Sequence, residues 1–160
     1  AKKVKKIGVS VYSLQQIKNT LEHFDIDIIQ LPFNILDQQL LQSGMLSELK
    51  SRNVEIHARS AFLQGLLLMP IDNLPPYFTP FKQAIQRVHS YAEALQLSTL
   101  ELCLQFIKNI TEIDHIVAGV NNTSQLNEIL AAYQKTTVLS NTASLAVNDD
   151  KLTSPVNWQT

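Results

Sequence analysis

The fold prediction starts from six residues near the middle of the chain, Val54-Glu55-Ile56-His57-Ala58-Arg59. Apolar and ionisable residues alternate along this stretch, and successive side chains of a β-strand point to opposite faces of a sheet. A strand here therefore has one apolar face and one face with three ionisable groups. Because a parallel strand that is covered on both sides is apolar throughout, the polar face indicates either a solvated edge or the wall of a site. Polar residues near the ends of two other predicted strands, Ser10 and Gln30, favour the site.

Three other segments have strand character, and helical patterns separate the four segments. The strands are predicted over residues 4–11, 26–31, 54–59 and 114–120. Helices are predicted over 13–24, 44–52, from the Thr79-Pro80 cap to about residue 95, over 98–108, and from a Thr123 cap onward. The last helix has an expected buried side of Leu126, Ile129, Leu130 and Tyr133. This alternation predicts an α/β domain of four βα units around a parallel sheet.

Two architectures fit four βα units. A doubly wound, flavodoxin-like open sheet is one, but the four glycines of the chain form no G-x-G-x-x-G turn for a dinucleotide phosphate. A (β/α)8 barrel is the other, but a whole barrel needs about 250 residues. With 160 residues, the chain is long enough for a single domain over 1–160 and for only part of a barrel.

Composition excludes several classes of function. The chain has 13 Lys+Arg and 14 Asp+Glu, and this balance argues against a nucleic-acid-binding protein. No apolar run approaches the roughly 20 residues that cross a bilayer, so no membrane association is expected. One cysteine excludes a disulfide framework, and the four histidines lack metal-ligand spacing, so no metal site is predicted. The lysine-rich start has no apolar segment of a secretory signal, and a cytoplasmic location is expected.

One turn has the geometry of a phosphate site. A predicted strand ends near Gly119, a short polar turn follows, and a helix begins at Thr123. Free N–H groups and the helix dipole suit an anion at such a point. Cys103, by contrast, lies among apolar residues and is predicted to be a packed, inert thiol.

Four motifs resemble consecutive parts of one enzyme family. They are Lys6-Ile7-Gly8-Val9-Ser10-Val11-Tyr12-Ser13, Ile26-Asp27-Ile28-Ile29-Gln30-Leu31-Pro32-Phe33-Asn34, Ile56-His57-Ala58-Arg59-Ser60-Ala61-Phe62-Leu63-Gln64-Gly65-Leu66-Leu67, and Ile116-Val117-Ala118-Gly119-Val120 followed by Ser124-Gln125-Leu126. In this order they resemble the motifs of the fifth to eighth strands of the aldo/keto reductases. The resemblance implies the C-terminal half of a (β/α)8 TIM barrel. It also implies an NAD(P)-dependent oxidoreductase that reduces small aldehydes or ketones, with NADP or NAD as the cofactor.

The same resemblance assigns ten residues to the cofactor. Ser10 and Gln30 match the positions that hold the nicotinamide carboxamide, and Arg59 stands where the family has an aromatic residue that stacks on the nicotinamide. Gln125 stands where a basic residue often binds the 2′-phosphate, so a preference for NADP does not follow. The remaining matches are Ser60, Phe62 and Gly65 in the loop over the pyrophosphate, and Gly119, Asn121, Thr123 and Gln125 at the adenosine end.

No catalytic residue is predicted within this chain. The family's catalytic aspartate, tyrosine, lysine and histidine come from the first four strands, whereas this chain begins at the motif of the fifth. His57, with Glu55 as a possible partner, is the best remaining proton donor. We therefore expect the chain to be inactive alone, and to form a homodimer or to pair with the missing N-terminal half. The alternative function is a non-catalytic half-barrel that serves as an interaction or structural module.

Overall fold

A parallel sheet of four strands forms the centre of the protein. The computed structural model describes residues 3–158. Its strands are β1 (Gly8–Ser10), β2 (Ile28–Pro32), β3 (Glu55–Arg59) and β4 (His115–Ile116), in the order β1-β2-β3-β4. All three neighbouring pairs are parallel. The predicted α/β fold with a parallel sheet is confirmed. The flavodoxin-like alternative is wrong for the described residues, because a doubly wound sheet reverses its strand order at a switch point.

Seven α-helices connect and follow the strands in the described part of the chain. They are α1 (Leu14–His23), α2 (Gln39–Gln42), α3 (Met45–Ser51), α4 (Lys82–Ala94), α5 (Thr99–Lys108), α6 (Thr123–Gln134) and α7 (Asp150–Thr153). The predicted start of α1 is confirmed, because the Ser13 side chain accepts from the Gln16 N–H. At α5 the capping box is complete, with Ser98 and Glu101 each bonding the other's backbone N–H. No helix among residues 3–158 is long and apolar enough to cross a membrane.

The two faces of the sheet differ as the alternation in β3 predicts. On one face Ile29, Leu31, Ile56 and Ala58 are fully buried in the core. In the same core the ring of Phe106, on α5, stacks on Phe33 with 5.5 Å between centroids. We call the opposite side the open face. It is partly exposed and carries Gly8, Ser10, Ile28, Gln30, Pro32, Glu55, His57, Arg59 and His115.

Both edge strands are shorter than predicted. The segment predicted over 4–11 forms a strand only at Gly8–Ser10, and the segment predicted over 114–120 only at His115–Ile116. Each edge strand has a partner on one side only, so its ends are free to leave the ladder. Val117 still donates to the Ala58 carbonyl at 2.8 Å, after which the chain turns away.

Two predicted helix starts are wrong. The segment that begins at Thr79 is part of a 3-10 helix, Pro76–Phe81, and α4 begins at Lys82. The N–H groups of Phe78 and Lys82 donate to carbonyls three residues earlier, so the segment around Pro80 is a 3-10 helix and the α-helix begins after it. Asn122, rather than Thr123, caps α6, because its side chain accepts from the N–H of Gln125.

The predicted buried side of α6 is wrong for three of its four residues. Leu126, Leu130 and Tyr133 are 41%, 50% and 45% exposed, and the one buried residue of this helix is Ala132. The helix packs on α5, where the Gln105 side chain donates to the Ala132 carbonyl at 2.9 Å. Apolar spacing predicted the helix correctly, but the contact with α5 is made by a different face.

Candidate functional site

The loop after β3 has an unusual backbone. Ser60, Leu63, Gln64 and Gly65 all have positive φ angles, of 62°, 48°, 55° and 85°. A non-glycine residue in this region costs on the order of 1–3 kcal/mol, and such residues concentrate at functional sites. The backbone N–H groups of Ala61, Phe62 and Gln64 donate to no other described residue. All three residues line the pocket described below, so their N–H groups are candidate donors to a ligand.

The turn between β4 and α6 faces this loop. Asn122 accepts the Gln125 N–H at 2.9 Å, and the Gln125 side chain accepts the Asn121 N–H at 2.9 Å. These two bonds fix the entry to α6, a helix of 12 residues. The positive end of the helix dipole lies at this turn.

A pocket of about 660 Å³ lies between the loop and the turn. Its wall is mixed in character, with the apolar residues Phe62, Leu68, Leu100 and Ile129 beside polar ones. The structure thus brings together seven of the ten residues that sequence analysis selected, although they come from segments about 60 residues apart. The seven are Arg59, Ser60, Phe62, Gly65, Gly119, Asn121 and Gln125.

The other three selected residues lie outside this wall. Ser10 and Gln30 are ladder partners on the open face, at the register level of His57. Thr123 is the first residue of α6 and does not line the pocket. Ser10 and Gln30 therefore form a second group, on the open face and outside the wall of this pocket.

Arg59 is held by three neighbours. Its guanidinium donates to the Val11 carbonyl at 3.1 Å and to Ser60 Oγ at 3.3 Å, and it lies 4.3 Å from the centre of the Tyr12 ring. A guanidinium stacks on aromatic faces through its plane and its charge. Sequence reasoning missed the role of Tyr12. Its position two residues after the end of β1, at the same end of the sheet as Arg59, is the signal that could have indicated it.

A second pocket, of about 290 Å³, lies on the other side of Arg59. Its wall includes Tyr12, Asp37 and, from the C-terminal segment, Asp150. Burial raises the pKa of Asp37 to about 6, and the nearby Asp150 carboxylate acts in the same direction. Sequence analysis did not predict this acidic pair, because the two residues are 113 positions apart in the chain.

A polar cluster occupies the open face. Glu55 Oε1 lies 2.7 Å from His57 Nε2 and 3.4 Å from His115 Nε2, and Lys6 pairs with the other carboxylate oxygen. Hydrogen bonds from His57 and then from Lys6 hold the pKa of Glu55 at about 2. The expected contact between His57 and Glu55 is present, whereas the participation of Lys6 and His115 was not predicted.

Cys103 is buried, and burial raises the pKa of its thiol to about 12. A thiol that stays protonated is neither a nucleophile nor a metal ligand at neutral pH. The prediction of a packed cysteine is confirmed, and its lack of reactivity stays a prediction.

Comparison with known proteins gives a consistent result. The sequence profile of the aldo/keto reductase family matches residues 3–145. No curated protein matches the chain. Among solved structures, the holo form of aldo-keto reductase AKR11C1 from Bacillus halodurans superposes with a TM-score of 0.71 and 17% identity, over 93% of this chain and 52% of that one.

Two further structures show the same fold. The apo form of the Bacillus halodurans protein gives a TM-score of 0.66 and 19% identity, over 84% of this chain and 47% of that one. The glycerol dehydrogenase AKR11B4 from Gluconobacter oxydans gives a TM-score of 0.52 and 20% identity, over 85% of this chain and 52% of that one. The chain spans about half the length of the solved structures that it matches.

Proposed function

We propose that this chain, which belongs to the aldo/keto reductase family, forms the cofactor side of an NAD(P)-dependent oxidoreductase that reduces aldehydes or ketones. In this proposal β1 to β4 correspond to strands five to eight of a (β/α)8 barrel. The sequential, fully parallel order of the sheet supports the correspondence. The open face would then be the part of the barrel interior that this chain provides.

The 660 Å³ pocket is the observation that carries the proposal. A dinucleotide pyrophosphate needs hydrogen-bond donors that approach closely, and the free N–H groups of the 60–65 loop are suitable. The Gly119–Gln125 turn would hold the adenosine end, and the nicotinamide end would extend past Arg59 toward Gln30 and Ser10. Bound in this way, a reduced nicotinamide supplies the hydride for carbonyl reduction.

The charges at the adenosine end favour NADH over NADPH. Gln125 is neutral, and Glu128, one turn later on α6, lines the same pocket. Glu128 Oε1 accepts from Ser124 Oγ at 3.1 Å, which holds the carboxylate near the start of the helix. A 2′-phosphate would meet this negative charge without a cation from α6 to balance it.

The chain is proposed to lack a proton donor for the reaction. Carbonyl reduction needs an acid beside the developing alkoxide. The four tyrosines are all engaged elsewhere: Tyr12 lies under Arg59, Tyr77 donates to the backbone carbonyl of Lys151 at 2.9 Å, Tyr91 donates to that of Ser140, and Tyr133 is on α6. None of them is on the strands of the open face, toward which the nicotinamide end is proposed to extend, in the described part of the chain. The acid would therefore come from a second polypeptide segment, and the chain alone would be inactive.

The open face and the edges β1 and β4 support assembly as the source of that segment. Unpaired strand edges and a half-covered sheet face are sites where another chain adds. We expect a homodimer or a complex with the N-terminal half of a barrel. Light scattering tests the state of the pure chain, and aldehyde turnover that requires a first-half fragment would support the complementation.

Calorimetric titration with NADH tests the cofactor site. Gln125→Ala removes the acceptor of the Asn121 N–H and is expected to weaken binding about 3- to 10-fold, the worth of one hydrogen bond. Gln134→Ala, at the exposed end of the same helix, is the matched control and should bind like the wild type. Gln30→Ala tests the nicotinamide end in the same assay.

NADPH is the comparison ligand. We expect NADPH to bind more weakly than NADH. Glu128→Gln removes the negative charge near the 2′-phosphate and should therefore reduce the difference in affinity between the two dinucleotides. Absence of saturable binding of either dinucleotide up to about 1 mM would contradict the proposal and favour the alternative, a non-catalytic interaction or structural module. The mutual pairing of the polar groups on the open face is the observation that favours that alternative.

A further inference from the structure

Two imidazoles and one carboxylate meet on the open face where β3 and β4 pair. Glu55 and His57 are two residues apart on β3 and therefore point to the same side of the sheet. His57 is also the ladder partner of His115 on β4. The two imidazole rings meet edge to face, with 4.8 Å between centroids. All three side chains thus start from strand positions that the hydrogen-bond ladder holds in place.

The spacing of their polar atoms suits a small metal ion. One ligand atom from each of the three residues lies within 4.8 Å of the other two. Glu55 Oε1 is 2.7 Å from His57 Nε2 and 3.4 Å from His115 Nε2. Tetrahedral zinc, with bonds of about 2.0–2.1 Å to nitrogen and oxygen, places its ligands about 3.3 Å apart. Small side-chain rotations would therefore bring the three atoms to coordination distance.

The chemistry of the donor set selects the class of metal. Two imidazole nitrogens and one carboxylate oxygen form a three-ligand set that Zn²⁺ accepts, with a fourth position left for water. Mg²⁺ and Ca²⁺ prefer oxygen ligands and are not suited to this set. Lys6 pairs with Glu55 Oε2, which leaves Oε1 as the oxygen that faces both imidazoles.

We propose that Glu55, His57 and His115 bind one Zn²⁺ or a similar divalent transition-metal ion. The ion would cross-link β3 to β4, a strand of two residues that two register pairs join to its neighbour. None of its ligands lines the 660 Å³ pocket, but His57 is the ladder partner of Gln30, so the ion would lie beside the proposed nicotinamide end and its binding is tested without the cofactor. Sequence analysis predicted no metal because His57 and His115 are 58 positions apart, a spacing that only the strand pairing explains.

Calorimetric titration of Zn²⁺ into the chain without a polyhistidine tag tests the site. We expect saturation at one ion per chain and a higher melting temperature with Zn²⁺ than without it. Loss of a residue that only supports a metal ligand weakens metal binding about 10- to 100-fold. His115→Ala removes a ligand itself, so it should weaken Zn²⁺ binding by more than this and abolish the rise in melting temperature. The His115 side chain is 61% exposed, so its removal leaves the core intact. His23→Ala, which removes an exposed imidazole on α1, is the matched control and should bind like the wild type.

Two further measurements separate this site from incidental surface binding. Lys6→Gln removes the ammonium that pairs with the Glu55 carboxylate and competes with the metal ion for it, so this variant should bind Zn²⁺ more tightly. Co²⁺ should show the visible absorption of a low-symmetry, four-coordinate ion, and excess Mg²⁺ should not displace it. The proposal is overturned if no saturable binding occurs below about 1 mM Zn²⁺, or if both His57→Ala and His115→Ala retain wild-type affinity.

Discussion

Asp37 makes the stability of this protein depend on pH in a direction that is unusual for an aspartate. Its pKa rises from 3.8 to about 6 in the folded protein because burial penalises the carboxylate. Between these two values the folded state holds a proton that the unfolded state has lost. The stabilisation is therefore fully present below about pH 4 and is lost as the pH rises through about 6.

The size of the effect follows from the shift. About two pH units at about 1.4 kcal/mol each correspond to about 3 kcal/mol, and partial access of water reduces this to about 1–3 kcal/mol. Asp37→Asn keeps the shape of the side chain and removes the charge. We expect this variant to be more stable than the wild type by that amount at about pH 7.5, and nearly equal to it at about pH 4.

Urea unfolding at the two pH values measures the effect. Far-UV circular dichroism and the fluorescence of Trp158, which packs edge to face on Phe78, report the transition. The free energy of unfolding of the wild type is subtracted from that of the variant at each pH, because this difference cancels the titration of other groups. Asp25→Asn, at an exposed position, is the control and should change the stability by less than about 0.5 kcal/mol at both pH values. An equal difference at both pH values would refute the reasoning.

Three smaller predictions concern the scaffold. Gly8→Ala should cost about 1–3 kcal/mol in urea unfolding, because its Cβ would lie 2.3 Å from the Ile28 carbonyl oxygen. Gly119→Ala is the control, because a Cβ there meets nothing within 4 Å, and it should lower the free energy of unfolding by less. Equal losses of stability in the two variants would contradict the predicted clash at Gly8. Ser98→Ala removes the cap of α5 and should lower the free energy of unfolding by about 1 kcal/mol; an unchanged value would show that the cap is not needed. Cys103 should react with a thiol reagent only in urea, and rapid native labelling would refute its burial.

Much of the fold followed from local patterns. The alternation in residues 54–59 correctly separated a buried face from a polar one, because the side-chain period of a strand is two. The capping residues Ser13 and Ser98 marked two helix starts correctly, because a cap bonds backbone groups only three residues away. The resemblance of four short motifs indicated the family that the profile match then showed.

Predictions that depended on distant contacts were less accurate. The two edge strands were predicted to be longer than they are, because the length of a strand depends on its neighbour in the sheet. The buried side of α6 was predicted incorrectly. Which of its residues faces α5 depends on how the two helices pack, and the apolar period of α6 alone does not contain that information. These are properties of pairs of elements, and a local pattern does not contain them.

Sequence by itself determined the chemistry of the candidate site, whereas tertiary structure decided which groups meet. The family resemblance selected Ser60, Gly65 and Gln125 within their own segments, and a turn between a strand and a helix indicated the segment that begins at Gly119. Only the fold places these segments on opposite sides of one pocket. Likewise, only parallel pairing of β3 with β4 brings His115 next to His57. Local propensity acts over a few residues, but the ladder and the buried core join positions that lie 60 or more residues apart in the chain.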